Sequence, residues 1–250
     1  MDFRKIFDTI PEEFDKWRPR YCDELFIDLI EHSNLKPNKT ALEIGPGTGQ
    51  ATEPILKTGC SYLAIELGEN LAEFMKNKFN PYDNFRLVNA DFETYDFGRE
   101  KFDLVYSAAA FQWIKEEIGY PKVYDILNSG GTFAHFGTGM DPKMNEEAVY
   151  VKIQEVYAEY FKPETEYTCK SDFNAAEKYG FICIESRYYD AARVFTADEF
   201  VSYIQTHADH ITLQYPYKSK FYTGIKDVVL SFGDKITVYD RIMLRLARKP

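Results

Sequence analysis

The stretch ALEIGPGTGQAT, residues 41–52, decides the fold. A short apolar run carrying Glu43 breaks into glycine at every second position, Gly45, Gly47 and Gly49, and then into residues that suit a helix. Glycine lets the backbone turn tightly and leaves room for a ligand to touch the main chain. A dinucleotide fingerprint, G-x-G-x-x-G, needs its third glycine at position 50, where this chain has Gln50, so the spacing disfavours nicotinamide. The Gly-Lys-Ser/Thr ending of a P-loop is missing too, which disfavours a nucleoside triphosphate.

Outward from this turn, short β-favouring runs alternate with longer amphipathic stretches, the rhythm of a parallel sheet covered by helices. The pattern predicts strands over Thr40 to Ile44, Tyr62 to Leu67, Phe85 to Ala90, Phe102 to Ser107 and Gly131 to Gly137. Helices are expected over Gln50 to Thr58, Glu69 to Phe79 and Pro121 to Leu127. Ahead of this body, residues 3–32 read as two helices broken at Pro11 and Pro19, the second over Cys22 to His32. Behind it come helices over Glu146 to Phe161 and Asp172 to Tyr179. Two last strands are expected over Ile182 to Val194 and Ile236 to Ala247, separated by helices over Thr196 to His207 and Ser219 to Phe232. Thr196, with Asp198 and Glu199 behind it, has the chemistry of an N-cap.

Length and composition bound the function. The 250 residues suit one large domain, and 45% hydrophobic with 28% charged residues is ordinary globular usage. Aromatic residues reach 16%, which suits a cleft lined with flat apolar surface. The formal charge of -10 repels phosphate backbones and anionic membranes, so neither nucleic acid nor membrane is an expected partner. Most of that charge lies in residues 1–140, with 15 basic and 23 acidic groups, a balance that suits a cationic small molecule. Cys22, Cys60, Cys169 and Cys183 form no CxxC pair and read as buried thiols of a cytoplasmic, soluble protein. The N-terminus lacks an apolar signal segment, and no run approaches the ~18 apolar residues of a membrane span. His207 and His210 have i, i+3 spacing but no third ligand, so no metal is expected.

The E-x-G-x-G-x-G run from Glu43 resembles the first motif of the class I S-adenosylmethionine-dependent methyltransferases. Further features follow in that family's order: YLAIEL ending in Glu66, 21 positions after Gly45; Asn89-Ala90-Asp91-Phe92 after the third strand; FDLVYSAAAFQWI; and LNSGGTFAHF. With WRPRY at residues 17–21 and FQWI at 111–114, the chain is similar to small-molecule members of the trans-aconitate and ubiquinone-biosynthesis type.

The resemblance implies a Rossmann-like α/β fold of seven mostly parallel strands in the order 3-2-1-4-5-7-6, the last antiparallel, with helices on both faces. It also implies one methyltransferase domain over residues 1–250: N-terminal helices 1–39 over the cleft, a cofactor-binding core 40–138, the rest of the sheet in 139–195 and 233–250, and a helical lid in 196–232. S-adenosylmethionine is then the cofactor and S-adenosylhomocysteine the product. Glu43, Gly45, Gly47, Thr48, Gly49, Glu66, Leu67, Asp91, Phe92 and Ser107 fall at the cofactor-binding positions. Glu66 would accept the ribose hydroxyls, Asp91 the adenine amino group, and Phe92 would pack on the adenine face.

Trp17, Arg18, Tyr21, Phe111 and Tyr203 are the substrate-binding candidates, and Gln112 the catalytic one. Members of the family often carry histidine where this chain has Gln112, so positioning of a small-molecule acceptor, rather than a base, is expected to dominate the chemistry. A cofactor-binding protein without turnover and a nicotinamide-dependent oxidoreductase are the alternatives. Phe200, Tyr203, Tyr215, Tyr217, Phe221 and Tyr222 make the lid aromatic, and Lys218 and Lys220 suit either an anionic acceptor or a solvated turn.

Overall fold

A computed structural model describes residues 2–163 and 175–250. Seven strands form one sheet in the order β3-β2-β1-β4-β5-β7-β6. They are β1 (Thr40–Ile44), β2 (Ser61–Glu66), β3 (Phe85–Asn89), β4 (Phe102–Ala108), β5 (Leu127–Met140), β6 (Ile182–Phe195) and β7 (Ile236–Arg248). The first five run parallel, and β7 is antiparallel to both β5 and β6. This is the expected order.

Period-two alternation divides the core between the two faces of the sheet. Ala41, Tyr62, Ala64, Leu104, Tyr106 and Phe136 pack against Leu25, Phe26 and Leu29 of α2 (Asp23–Ser33), and against α3 (Thr52–Leu56) and α4 (Glu69–Phe79). Their neighbours Leu42, Ile44, Leu63, Ile65, Val105 and Phe133 face Tyr120 and Val123 of α5 (Glu116–Ile126). Both faces of β1 and β2 are therefore buried, as parallel strands require.

A third cluster stands apart from these two. It joins α6 (Ala148–Tyr160), α7 (Ala197–Ile204) and α9 (Tyr217–Ser231) to Phe195, Ile236 and Val238 on the strands. The capping box forms here: Thr196 Oγ1 accepts from the Glu199 amide, and the Glu199 carboxylate accepts from the Thr196 amide. A short helix, α8 (Ala208–Ile211), interrupts the expected loop, with His207 at its N-cap.

Several boundaries differ from expectation. The first expected helix contracts to α3, because Gly49 to Ala51 still belong to the turn. α5 begins at Glu116, with Glu116 and Glu117 in its first turn and Pro121 inside it. Before α2, residues Phe3–Thr9 form a 3-10 helix, and α1 (Pro11–Trp17) starts on the proline, where the missing N–H costs nothing. The stretch expected as a helix from Asp172 lies partly outside the described residues, and Ala175–Tyr179 is a 3-10 helix. Among the described cysteines the buried-thiol reading holds for Cys60 alone: Cys22 is half-buried, and Cys183 is exposed where the β6 register shifts. Cys169 lies outside the described residues.

Candidate active site

The turn after β1 is built from left-handed backbone. Gly45, Gly47 and Gly49 have φ of +64°, +61° and +84°, which L side chains rarely adopt. Each also has a neighbour where a Cβ would sit: Ala110 for Gly45 at 2.5 Å, Phe14 for Gly47 at 3.1 Å, and Phe79 for Gly49 at 2.4 Å. Gly45 N–H donates to Ile65 O across to β2. Thr48 is buried: its hydroxyl accepts from Gln50 Nε2 and its carbonyl from Lys78 Nζ.

Beneath the turn, Glu43 is wholly buried. Its Oε2 accepts from Thr52 Oγ1 at 2.6 Å and from the Tyr62 hydroxyl, which also meets that of Tyr106. Burial pushes its carboxyl up, and Oε1 is buried without a hydrogen-bond partner. Ser107 ties the ends of β1 and β4 together by donating to Ile44 O at 2.9 Å.

Glu66 stands at the carboxyl end of β2, beside the turn. Its carboxylate accepts from Gly47 N–H at 3.0 Å and Gly68 N–H at 2.9 Å. Burial nevertheless raises its pKa to about 7, the two amides offsetting only part of the desolvation and Asp8 adding to it. Leu67 follows, half-buried. Asp91, beyond the end of β3, accepts from the Glu93 amide and is forked by Arg4, at 3.2 Å to Oδ1 and 2.8 Å to Oδ2.

The N-terminal segment therefore lies over the strand ends. Arg4 also reaches Glu93, and the Asp8 carboxylate accepts from the Leu71 amide in the first turn of α4. Phe7 packs on Phe14 and on Trp113, with ring centroids 5.1 and 5.9 Å apart. Arg4, Asp8, Phe14 and Trp113 were not singled out from the sequence. The proline-bounded helices were legible, but the partners of their side chains depend on how the segment folds back.

The acceptor-side candidates divide. Arg18 closes α1, with Phe14 beneath its guanidinium at 5.4 Å. Tyr21 packs edge-on against Phe136 at 4.8 Å, and burial raises its hydroxyl pKa. Tyr203 stacks on Phe195 at 5.3 Å, with Arg193 over its ring at 4.4 Å. α1 touches α7, so these residues share one region.

Three further candidates are set in these surroundings. Phe111 is a core residue, 1% exposed among Tyr120, Phe133 and His135, because the 3-10 helix Phe111–Trp113 turns it inward and sets Trp113 against Phe3 and Phe7. The Phe92 ring is buried against Phe97 with Lys122 over it, so it belongs to the core. Trp17 is half-buried under Lys16, and among the described residues no hydrogen bond or ring contact joins it to the glycine turn. Gln112, beside Phe111, is half-buried. The two ring nitrogens of His210 share hydrogen bonds with the Tyr157 hydroxyl and the Asp209 carboxylate, both at 2.7 Å, which fixes it as part of a hydrogen-bond network.

Residues 42–135 match the family model described as a methyltransferase domain. A small-subunit ribosomal RNA methyltransferase A of Dehalococcoides mccartyi is 40% identical over 63 residues, which cover 25% of this chain and 22% of that protein. This chain thus spans about a fifth of that relative's length. Malonyl-[acyl-carrier protein] O-methyltransferase 1 of Ilyobacter polytropus is 27% identical over 146 residues, 52% of this chain and 54% of that one. Among solved structures, phosphoethanolamine N-methyltransferase 2 of Haemonchus contortus, bound to S-adenosylhomocysteine, superposes with a TM-score of 0.60 at 18% identity. That superposition covers 100% of this chain and 60% of the other. Strand order and glycine turn define a Rossmann-like methyltransferase fold. With the matched segment, they place a methyltransferase domain over residues 42–135.

Proposed function

We propose that this chain transfers a methyl group from S-adenosylmethionine to a small organic acceptor. The observation that carries this reading is the juxtaposition at three neighbouring strand ends: a turn of three left-handed glycines, the buried Glu66 carboxylate beside it, and Asp91 next along the sheet. Ligands of open α/β sheets bind at such carboxyl ends.

The residues present fit the cofactor. The main chain of Gly45 to Gly49 offers a close backbone approach, Glu66 two acceptor oxygens for ribose hydroxyls, and Asp91 acceptors for the adenine amino group. Bound there, the cofactor supplies a methyl group already activated on a sulfonium. The chain's task is then to hold the acceptor in line and keep water out. Gln112 sits at the end of the fourth strand as a positioning group, with no base required of it. The acidic body suits a cationic donor.

Residues 1–250 act as one methyltransferase domain in this reading, with 1–39 over the cleft, 40–138 holding the cofactor, 139–195 and 233–250 completing the sheet, and 196–232 as the lid. A small molecule rather than a nucleic acid is the acceptor, since a net charge of -10 opposes binding to a phosphate backbone. None of the described helices is long and apolar enough to cross a membrane. A cytoplasmic location goes with the free Cys22, Cys60 and Cys183, which suit a reducing compartment.

A thermal-shift comparison tests the reading. S-adenosylhomocysteine is expected to raise the melting temperature and NAD to leave it unchanged. The reverse result would overturn it.

A further inference from the structure

Between the N-terminal segment, the β6–β7 ribbon and α7 lies a cluster whose charges do not balance. Arg193 of β6 donates Nε and Nη2 to Asp240 of β7, at 2.7 and 3.1 Å. Its Nη1 is buried with no acceptor. Arg18 lies within electrostatic range of Tyr203, Tyr21, Arg193 and Asp240. Among the described residues no hydrogen bond or ion pair reaches the Arg18 guanidinium, which rests on the Phe14 ring.

Two guanidinium charges thus face one carboxylate. The other titratable groups do not make up the difference. His207, packed on Tyr203 at 4.9 Å, is kept neutral by burial and by the two arginines. Tyr21 is held protonated by burial. Asp209 is committed to His210, and Asp141 to Arg241. One positive charge is left over in a half-buried space, an arrangement that is costly unless an anion joins it.

The walls are apolar and flat: Tyr203 and Phe195 stack on one side, and Tyr21 and Phe136 pack on another. Thr138, two residues beyond Phe136 and so on the same sheet face, has a buried hydroxyl with no partner. The cluster reaches from the glycine turn, where Phe14 lies between Arg18 and Gly47, out to Arg193. β6 is four strand spacings from β1, about 19 Å at roughly 4.8 Å each.

We propose that Arg18 and Arg193 bind a carboxylate of the methyl acceptor, so that the acceptor is a small organic anion with an apolar body. A paired guanidinium site matches the planar, two-oxygen shape of a carboxylate, and the aromatic walls suit the remainder of the molecule. This rests on the methyltransferase reading. The other carboxylate that belongs to such a reaction is the methionine carboxylate of the cofactor, and the test separates the two.

Acetate, succinate and phenylacetate, each paired with its neutral amide, are titrated into the wild-type protein saturated with S-adenosylhomocysteine, with heat and melting temperature recorded. At least one acid is expected to bind ten or more times tighter than its amide. Arg18→Gln is expected to erase that preference while leaving S-adenosylhomocysteine affinity within twofold of wild type. That unchanged affinity also reports that the variant is folded. Acid and amide binding alike, neither binding, or a preference that survives Arg18→Gln would overturn the assignment and leave the methyltransferase reading standing. A tenfold loss of S-adenosylhomocysteine affinity in Arg18→Gln would give the arginine to the cofactor instead. Wild-type protein that fails to bind S-adenosylhomocysteine would remove both readings.

Discussion

Gly47 and Gly49 share a backbone conformation but not an environment, and substitution should separate them. An alanine in the left-handed region costs roughly 1–2 kcal/mol at either position. At Gly49 the added carbon would also strike Phe79 and Met75, at 2.4 and 2.9 Å. Overpacking of that kind adds about 1–3 kcal/mol. At Gly47 it meets the edge of Phe14, a ring on the segment above the cleft, at 3.1 Å and Gln50 Oε1 at an ordinary 3.7 Å. Gly49→Ala is therefore expected to lower the urea midpoint more than Gly47→Ala. Gly47→Val should instead weaken S-adenosylhomocysteine binding more than tenfold in calorimetry.

Glu66 makes a prediction in pH. Its pKa of about 7 lies above the ordinary carboxyl value, so the folded protein holds a proton that the unfolded chain has released. The stabilisation from that proton is complete below the unfolded pKa, near 4.5, and is lost as pH rises through about 7. The melting temperature of the ligand-free protein should fall between about pH 5 and pH 7 and level off above that. In Glu66→Gln that part of the slope should vanish, and a slope that persists would place the titration elsewhere.

At the scale of elements, the N-terminal segment holds the groups that the proposed reading gives to the cofactor. Arg4 holds Asp91, and Phe14 covers Gly47. The Arg4–Asp91 ion pair lies at the surface, its side chains 21% and 24% exposed, so solvent screens it and it contributes about 1 kcal/mol or less to overall stability. Arg4→Gln should leave the melting temperature nearly unchanged and tighten S-adenosylhomocysteine binding by about threefold to tenfold, at ~1.4 kcal/mol per factor of ten. Weaker binding would mean that the arginine helps to build the site rather than block it.

The sheet was legible from residues 40–138 because its central parallel strands β1 and β2 are buried on both faces and read as apolar runs. Glu43, the glycine turn, Glu66 and Asp91 were legible as well, since their spacing along the chain follows from strand ends and turns. The burial of Phe111 and Phe92 is not legible in the sequence, because whether an aromatic ring faces a cleft or a core depends on the turn beside it. Arg193 was passed over because its meaning comes from Asp240, 47 positions away and met only when β6 pairs with β7.

For the whole molecule, the three core clusters set what can change independently. Phe221 is fully buried in the third cluster, 4.8 Å from Tyr157 and 5.2 Å from Phe161. Phe221→Ala should cost about 3–5 kcal/mol by denaturant titration. Its cluster does not include the residues beneath the glycine turn, so S-adenosylhomocysteine affinity should stay within twofold where the protein remains folded. A parallel loss of affinity would show that the two regions are coupled.

β6 and β7 have 14 and 13 residues, against five in β1, so the ribbon they form outruns the strands that carry the glycine turn. Residues 196–232 spring from its far end, between Phe195 and Ile236, which pair with each other across it. Both ends of that segment are thus already sewn together by the ladder. Such a seam is a natural boundary for grafting: another segment spliced between those two positions would leave the strands that carry the glycine turn unaltered.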